Sequence, residues 1–317
     1  MAQPTQTFDF YDAVGNREDL SNIIHNISPT LTPFQNNIGR GTATNIMHEW
    51  QTETLDAVDP NNAHIDGDDA TGDPIEPTIR VHNYAQIMRK TIVVSGRQNA
   101  ADSAGRNNEL AHQIAKKGKE LKRDKETILL SNQAKLAGDA VTPARMAGLE
   151  AIISTNDNRG AGGAAGTSYG LTAAVDGTQR AFSEVLLKDV IQQCFTEGAE
   201  IDMLMVGPYN KQVASTFTGI ATRFKDVQGV NQATIVGASD IYVSDFGELK
   251  IVPNRFQRDR TAFLIDTSMA EVSAFRPMET IPLAKTGDSE KRLLIEDCTL
   301  KVCQESAFGV IADLLTA

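Results

Sequence analysis

Two β-prone runs with no local core to share constrain this chain most. Residues 45–54 read NIMHEWQTET, with Ile46, His48, Trp50 and Thr52 on one face of a strand and Met47, Glu49 and Gln51 on the other. Residues 83–94, NYAQIMRKTIVV, form a second run enriched in β-branched side chains. Between them lies DAVDPNNAHIDGDDATGDPIEP, rich in Asp, Gly, Asn and Pro and without periodicity. The pattern predicts a long two-stranded hairpin with an acidic tip. A hairpin of this kind is marginal in water on its own. It needs a partner surface, and a neighbouring copy of the chain can supply one.

Charge is distributed in the same sense. From Thr52 to Ile79 there are eight carboxylates and no Lys or Arg, whereas Arg89 to Lys125 carries ten Lys and Arg against four acids. Segments of opposite sign can recognise one another, within a chain or between chains. The net charge of −11 and the pI near 5.0 argue against a protein that grips nucleic acid over a broad surface. They suit a self-repelling, soluble subunit. No apolar run approaches the roughly 18 residues that span a bilayer. The N-terminus lacks the basic and apolar regions of a secretory signal. Cys194, Cys298 and Cys303 fit a reducing compartment.

The remaining segments predict a mixture of helices and antiparallel strands without βαβ rhythm, an α+β chain. Residues 1–45 read as an extended arm with a short helix at 16–25. Residues 106–136 give a long charged helix with Leu110, Ile114, Leu121, Ile128 and Leu129 near one stripe, a rod of roughly 45 Å at 1.5 Å per residue. Residues 154–180 are rich in Gly, Ala, Thr and Asn and read as a flexible loop. Residues 179–197 predict an amphipathic helix whose buried face holds Phe182, Val185, Leu186, Val190 and Ile191, ended by Gly198. A buried strand at 201–207 stops at Gly207-Pro208, and 241–256 reads as a hairpin turning at Asp245-Phe246-Gly247. Short strands follow at 261–266 and 272–275, then a turn at 286–289 and a strand over 292–305. On that last strand Cys298, Leu300 and Val302 share the face expected against Leu121 and Ile128. Thr299, Lys301, Cys303 and Glu305 take the more exposed one.

Motifs for chemistry fail in their context. Lys285-Thr286-Gly287 spells the KTG box of serine β-lactamases, but no serine has a lysine three positions later, and Ser239-Asp240 is followed by Ile241. Gly160, Gly162, Gly163 and Gly166 miss a dinucleotide loop because Ala165 stands where the third glycine belongs. The D-F-G at 245–247 has no H-R-D or glycine-rich loop beside it. His25, His48, His64, His82 and His112 show no metal spacing, and Asp66-Gly67-Asp68-Asp69-Ala70-Thr71 departs from a calcium loop at Ala70 and Thr71. No cofactor and no catalytic residue is expected.

The order of parts resembles the major capsid protein of tailed double-stranded-DNA bacteriophages, in the Hong Kong 97 fold. The similarity lies in EDLSNIIHNISPTLTPF (18–34), HEWQTETL (48–55), IVVSG (92–96), ELAHQIAKKGKELKRDKE (109–126), SDFGELKIVPNRF (244–256) and LAKTGDSEKRLLIEDCTLKV (283–302). The resemblance implies an N-terminal arm (1–45), an E-loop hairpin (46–95), a P-domain with spine helix (96–180), an A-domain (181–255) and return strands of the P-domain (256–317). It implies pentamers and hexamers in an icosahedral head around packaged DNA, assembled in the host cytoplasm, with portal, scaffold or decoration proteins as further partners and no membrane. The shell of a bacterial nanocompartment shares the fold and is the second reading; an enzyme of unrecognised type is the third. Some members of the fold cross-link a hairpin lysine to a distant asparagine; that is not carried over, because 52–79 contains no lysine and Lys90 sits only at the hairpin base. Some relatives begin with a long cleaved helical segment; this chain starts almost at the arm, so none, or one already removed, is expected. Asp66, Asp68 and Asp69 are the expected inter-subunit contacts on the acidic side. On the basic side the candidates are Lys116, Lys117, Lys119, Lys122 and Arg123 of the long helix, or Lys285, Lys291 and Arg292.

Overall fold

The computed structural model describes residues 28–67, 72, 75–101, 105, 108–167, 169–217 and 241–316. The helix expected at 16–25 lies outside them.

From the arm, α1 (Pro33–Asn37) leads into β1 (Gly39–Thr42), then β2 (Met47–Thr52) and, beyond the acidic tip, β3 (Ile79–Tyr84) and β4 (Gln86–Ser95). Next come α2 (Gly96–Ala100), the long α3 (Glu109–Leu129), α4 (Leu149–Ile152) and the short β5 (Asp157–Asn158). A second lobe contributes α5 (Glu184–Thr196), β6 (Met203–Val206), α6 (Pro208–Ala214), β7 (Ile241–Ser244) and β8 (Gly247–Pro253). The chain returns through β9 (Ala262–Ile265), β10 (Ala270–Pro282), β11 (Ser289–Val302) and β12 (Phe308–Ile311).

The described residues form three sheets. One has the order β1-β10-β11-β4, the second β5-β12-β9-β6-β8-β7, and the third is the ribbon β2-β3 alone. The expected second hairpin strand is therefore two strands. Residues Ile79–Tyr84 pair with β2, Met47 opposite Tyr84 and Thr52 opposite Ile79. After Ala85 the chain changes partner, and Gln86–Ser95 pairs antiparallel with β11. The reason is burial. Met88, Ile92 and Val94 are buried, a face that a two-stranded ribbon cannot cover.

The long helix is shorter than predicted, 21 residues, so its length is roughly 30 Å. Asn108 caps it, its side chain accepting from Ala111 N. It ends at Leu129, and the N–H of the fully buried Leu130 donates to Glu126 O and Ile128 O at its C-terminus. Leu121 and Leu129 join Cys298, Leu300, Val302, Phe308 and Phe34 in one core, and Ile128 packs at its margin. A second core lies under α5, with Leu187, Val190, Ile191, Cys194, Tyr242 and Leu264.

Further expectations need correction. Val185 is 76% exposed; Leu187 and Cys194 take the buried face of α5 with Val190 and Ile191, an i, i+3, i+4, i+7 set from which Val185 points away. The strand over 292–305 runs Ser289–Val302, and the one expected at 272–275 is part of the 13-residue β10 that pairs along it. Thr299 is fully buried rather than exposed, paired with the equally buried Ser273. The glycine-rich stretch is an ordered strap rather than a flexible loop. Asp313 accepts from Gly160 N and Gly177 N at 3.0 and 2.9 Å, and added Cβ atoms at Gly160 and Gly166 would meet main-chain oxygens at 2.0 and 2.3 Å. Glycine is needed there for close approach, which composition alone reads as flexibility.

Candidate assembly surfaces

The ribbon is rooted by Asn83, only 1% exposed. Its amide donates to Leu300 O at 2.8 Å, and its oxygen accepts from Ala147 N at 2.8 Å. A side chain with both donor and acceptor thus ties the ribbon to β11 and to the chain before α4. Trp50, on the face predicted for it, meets the Tyr169 ring edge-on at 6.4 Å. His48 lies 5.8 Å from the Trp50 ring; burial, then Lys301, pushes its pKa down, with Glu271 opposing. On the outer side Arg80 pairs with Glu49 across the ribbon.

Beyond Thr52 the tip carries Asp66 in the open, and Asp68 and Asp69 lie outside the described residues. The sequence pointed to the acids of this tip. It passed over the apolar side chains among them, Leu55, Val58, Ile65 and Ile75, which are the most exposed large hydrophobics of this region. The signal available was their neighbours: isolated aliphatic residues in an aperiodic acidic run have nothing local to bury against.

The basic candidates are not gathered into one patch. On α3, Lys116, Lys119 and Lys122 are exposed, while Lys117 pairs with Glu120 at 2.7 Å and Arg123 stands 5.4 Å over the Phe256 ring. On the turn between β10 and β11, Lys285 pairs with Glu290 at 3.1 Å and Lys291 donates to Thr286 Oγ1. Arg292 is half-buried on β11, opposite Ile92 of β4. Two neighbouring lysines serve the body itself: Lys125 pairs with Glu296 at 2.6 Å, clamping α3 to β11, and Lys90 pairs with Asp124 at 2.5 Å.

The residues of the KTG box form an exposed turn, with Gly287 at φ +80°. Burial pushes the thiols of Cys194 and Cys298 up to about 12, which keeps them protonated and unreactive near neutrality. Among the described residues no three His, Cys, Asp or Glu side chains could hold a metal ion together. Among the described residues no helix is long and apolar enough to cross a membrane.

A two-stranded ribbon projecting from a sheet clamped on a spine helix, beside a lobe with its own core, is the architecture of a Hong Kong 97-type shell subunit. The backbone is similar to a capsid subunit of Cyanophage A-1(L), with a TM-score of 0.66 at 12% identity over 95% of this chain and 98% of that one. It is also similar to a chain of Mycobacterium phage Bobi, with a TM-score of 0.58 at 12% identity over 95% and 96%. In sequence, the major capsid protein of Escherichia phage Phieco32 is 30% identical over 98% of this chain and 97% of that protein. The profile of the SU10 major capsid protein family matches residues 3–315, and the chain belongs to that family.

Proposed function

We propose that this major capsid protein builds a closed icosahedral head from pentamers and hexamers, around the DNA genome of a tailed phage. The observation that carries the reading is the ribbon with its exposed tip. Each subunit holds out a segment whose apolar side chains find no cover in its own fold, and a neighbour in a lattice provides that cover. The division into arm (1–45), E-loop hairpin (46–95), P-domain (96–180 and 256–317) and A-domain (181–255) belongs to this proposal, with one refinement. Residues 86–95 serve the P-domain sheet, so the projecting part is the shorter ribbon and its tip.

Shell assembly favours many weak contacts over few strong ones, since errors must be reversible. Asp66, Asp68 and Asp69 against Lys116, Lys117, Lys119, Lys122 and Arg123, or against Lys285, Lys291 and Arg292, fit that rule, at about 0–1 kcal/mol per exposed pair. The role inferred is structural rather than catalytic. The acidic surface also suits a container from which DNA must leave, because a basic lining would hold the phosphates. Assembly in the host cytoplasm, with a portal and a scaffold or decoration protein, completes the reading. Negative-stain electron microscopy of the expressed protein tests it: closed shells of uniform size are expected, and a protein that stays monomeric at every concentration and salt overturns it.

A further inference from the structure

The spine helix α3 carries six Lys and Arg side chains and four carboxylates. Each carboxylate is engaged within the fold. Glu109 accepts from Gln113 at 2.7 Å, Glu120 pairs with Lys117 at 2.7 Å, Asp124 pairs with Lys90 at 2.5 Å, and Glu126 holds the arm. Lys125 is taken up by Glu296. Among the described residues, Lys116, Lys119, Lys122 and Arg123 have no carboxylate partner.

These cations share one side of the helix. His112, Lys116, Lys119 and Arg123 recur at i, i+4, i+7 and i+11, which makes one line, and Lys122 stands beside it. Leu110 and Leu121, buried against the sheet, are on the opposite side. From Lys116 to Arg123 the line covers about 10 Å. Lys116, Lys119 and Lys122 are exposed, and the half-buried Arg123 keeps its place over the Phe256 ring. In a chain of net charge −11 such an unpaired row is the exception, and it attracts a polyanion rather than a single charge.

We propose that this row on α3 meets the phosphates of packaged duplex DNA, so that the side of the spine helix away from the sheet faces the shell interior. The inference rests on the shell reading above and names the face that the subunit turns to the genome. It also divides the two basic sets: α3 serves DNA, which leaves Lys285, Lys291 and Arg292 for the acidic tip. The tip carries exposed Leu55, Val58, Ile65 and Ile75, which call for apolar cover. The row presents ammonium groups, a guanidinium and the methyls of Ala111 and Ala115 instead. Duplex DNA asks only for charge, at one phosphate per about 1.7 Å of axis.

The contact is narrow. With about three or four phosphates met per subunit, affinity falls roughly a thousandfold for a tenfold rise in salt. The acidic surface around the row repels the duplex, so DNA is met at few points and can still leave.

The test measures binding of a fluorescein-labelled duplex of about 24 base pairs to free subunits, by anisotropy over a tenfold range of NaCl. The slope of log K against log salt is expected at about −3. Lys116→Gln/Lys119→Gln/Lys122→Gln changes exposed positions only, and should weaken binding at least tenfold at the low-salt end and flatten the slope to about −1. Arg97→Gln/Lys188→Gln/Lys250→Gln removes the same charge from other exposed positions and should stay within about twofold of wild type. The inference is overturned if the α3 variant binds like wild type or if the second variant loses as much. Closed shells should bind the duplex far less than free subunits, since the row is inside; equal binding also overturns it. The α3 variant should still close shells by electron microscopy. If it does not, the row is the seat of a neighbour's acidic tip and the inference falls. Wild-type protein that never forms shells removes the shell reading instead, and the binding of free subunits is measured apart from it.

Discussion

Asn254 donates its side-chain amide to the Glu126 carboxylate at 2.8 Å, and Glu126 is fully buried. The same carboxylate accepts from Phe34 N at 2.7 Å and Gln35 N at 3.1 Å. One spine-helix side chain therefore holds the start of α1 in the arm and the segment after β8. Replacing Glu126 by Ala takes the acceptor from the Phe34 and Gln35 N–H groups and leaves the Asn254 amide only Met205 Sδ, a loss of about 3 kcal/mol. Glu126→Gln keeps one oxygen and should lose less. Chemical denaturation of the two variants beside wild type reads the difference; equal stability of all three would show that the donors find other partners.

The inner face of β11 gives a second outcome. Val302 is fully buried in the core, whereas Lys301 points the other way and pairs with Glu271 at 3.0 Å. Val302→Asp buries an unpaired charge at a cost of several kcal/mol, and the protein is expected in the insoluble fraction. Lys301→Asp should fold and at most change assembly. Soluble yield and circular dichroism distinguish them.

Thiol labelling checks the same register without substitution. Cys298 is buried and its thiol is pushed up to about 12, while Cys303 is partly accessible. A polar maleimide should modify Cys303 of the free subunit well before Cys298 or Cys194, by peptide mapping. Equal rates would mean that the strand ends earlier than Val302.

Acid pH should loosen the ribbon root. Burial lowers the pKa of both His48 and His82. Below about 6.5 the unfolded chain binds protons that the folded one refuses, so stability, complete above 6.5, falls as pH drops toward the folded values. A thermal-melting series from pH 7.5 to 5.5 should slope less for His48→Gln than for wild type. An unchanged slope would assign the acid sensitivity elsewhere.

Removing residues 57–76 should leave a soluble, folded subunit that no longer closes shells, since no described core residue lies in that span. Asp66, Asp68 and Asp69 reversed to Lys should impair assembly, with recovery when the basic partner is also reversed. Particle yield by sedimentation measures both; normal shells from the deletion would remove the tip from assembly.

The α+β class, the ribbon's first strand, the spine helix stripe and the face of β11 with Cys298, Leu300 and Val302 were all legible in the sequence. Each rests on a local period, and the side-chain alternation of a strand or the turn of a helix follows from backbone geometry alone. The switch of partner at Ala85 was not legible, because residues on either side of it have the same strand pattern and only the cover supplied by β11 and α3 separates them. Glu126 belongs to a helix read only as charged, and the arm and the segment after β8 are what bury it. The strap at 154–180 looked flexible because close approach and freedom draw on the same glycines. Asp313, more than 130 residues away in sequence, ties Gly160 and Gly177 down, a contact no local pattern shows. Local chemistry thus determined the elements and what each could bury, while contacts between distant segments decided which surfaces were covered and which were left for a neighbour.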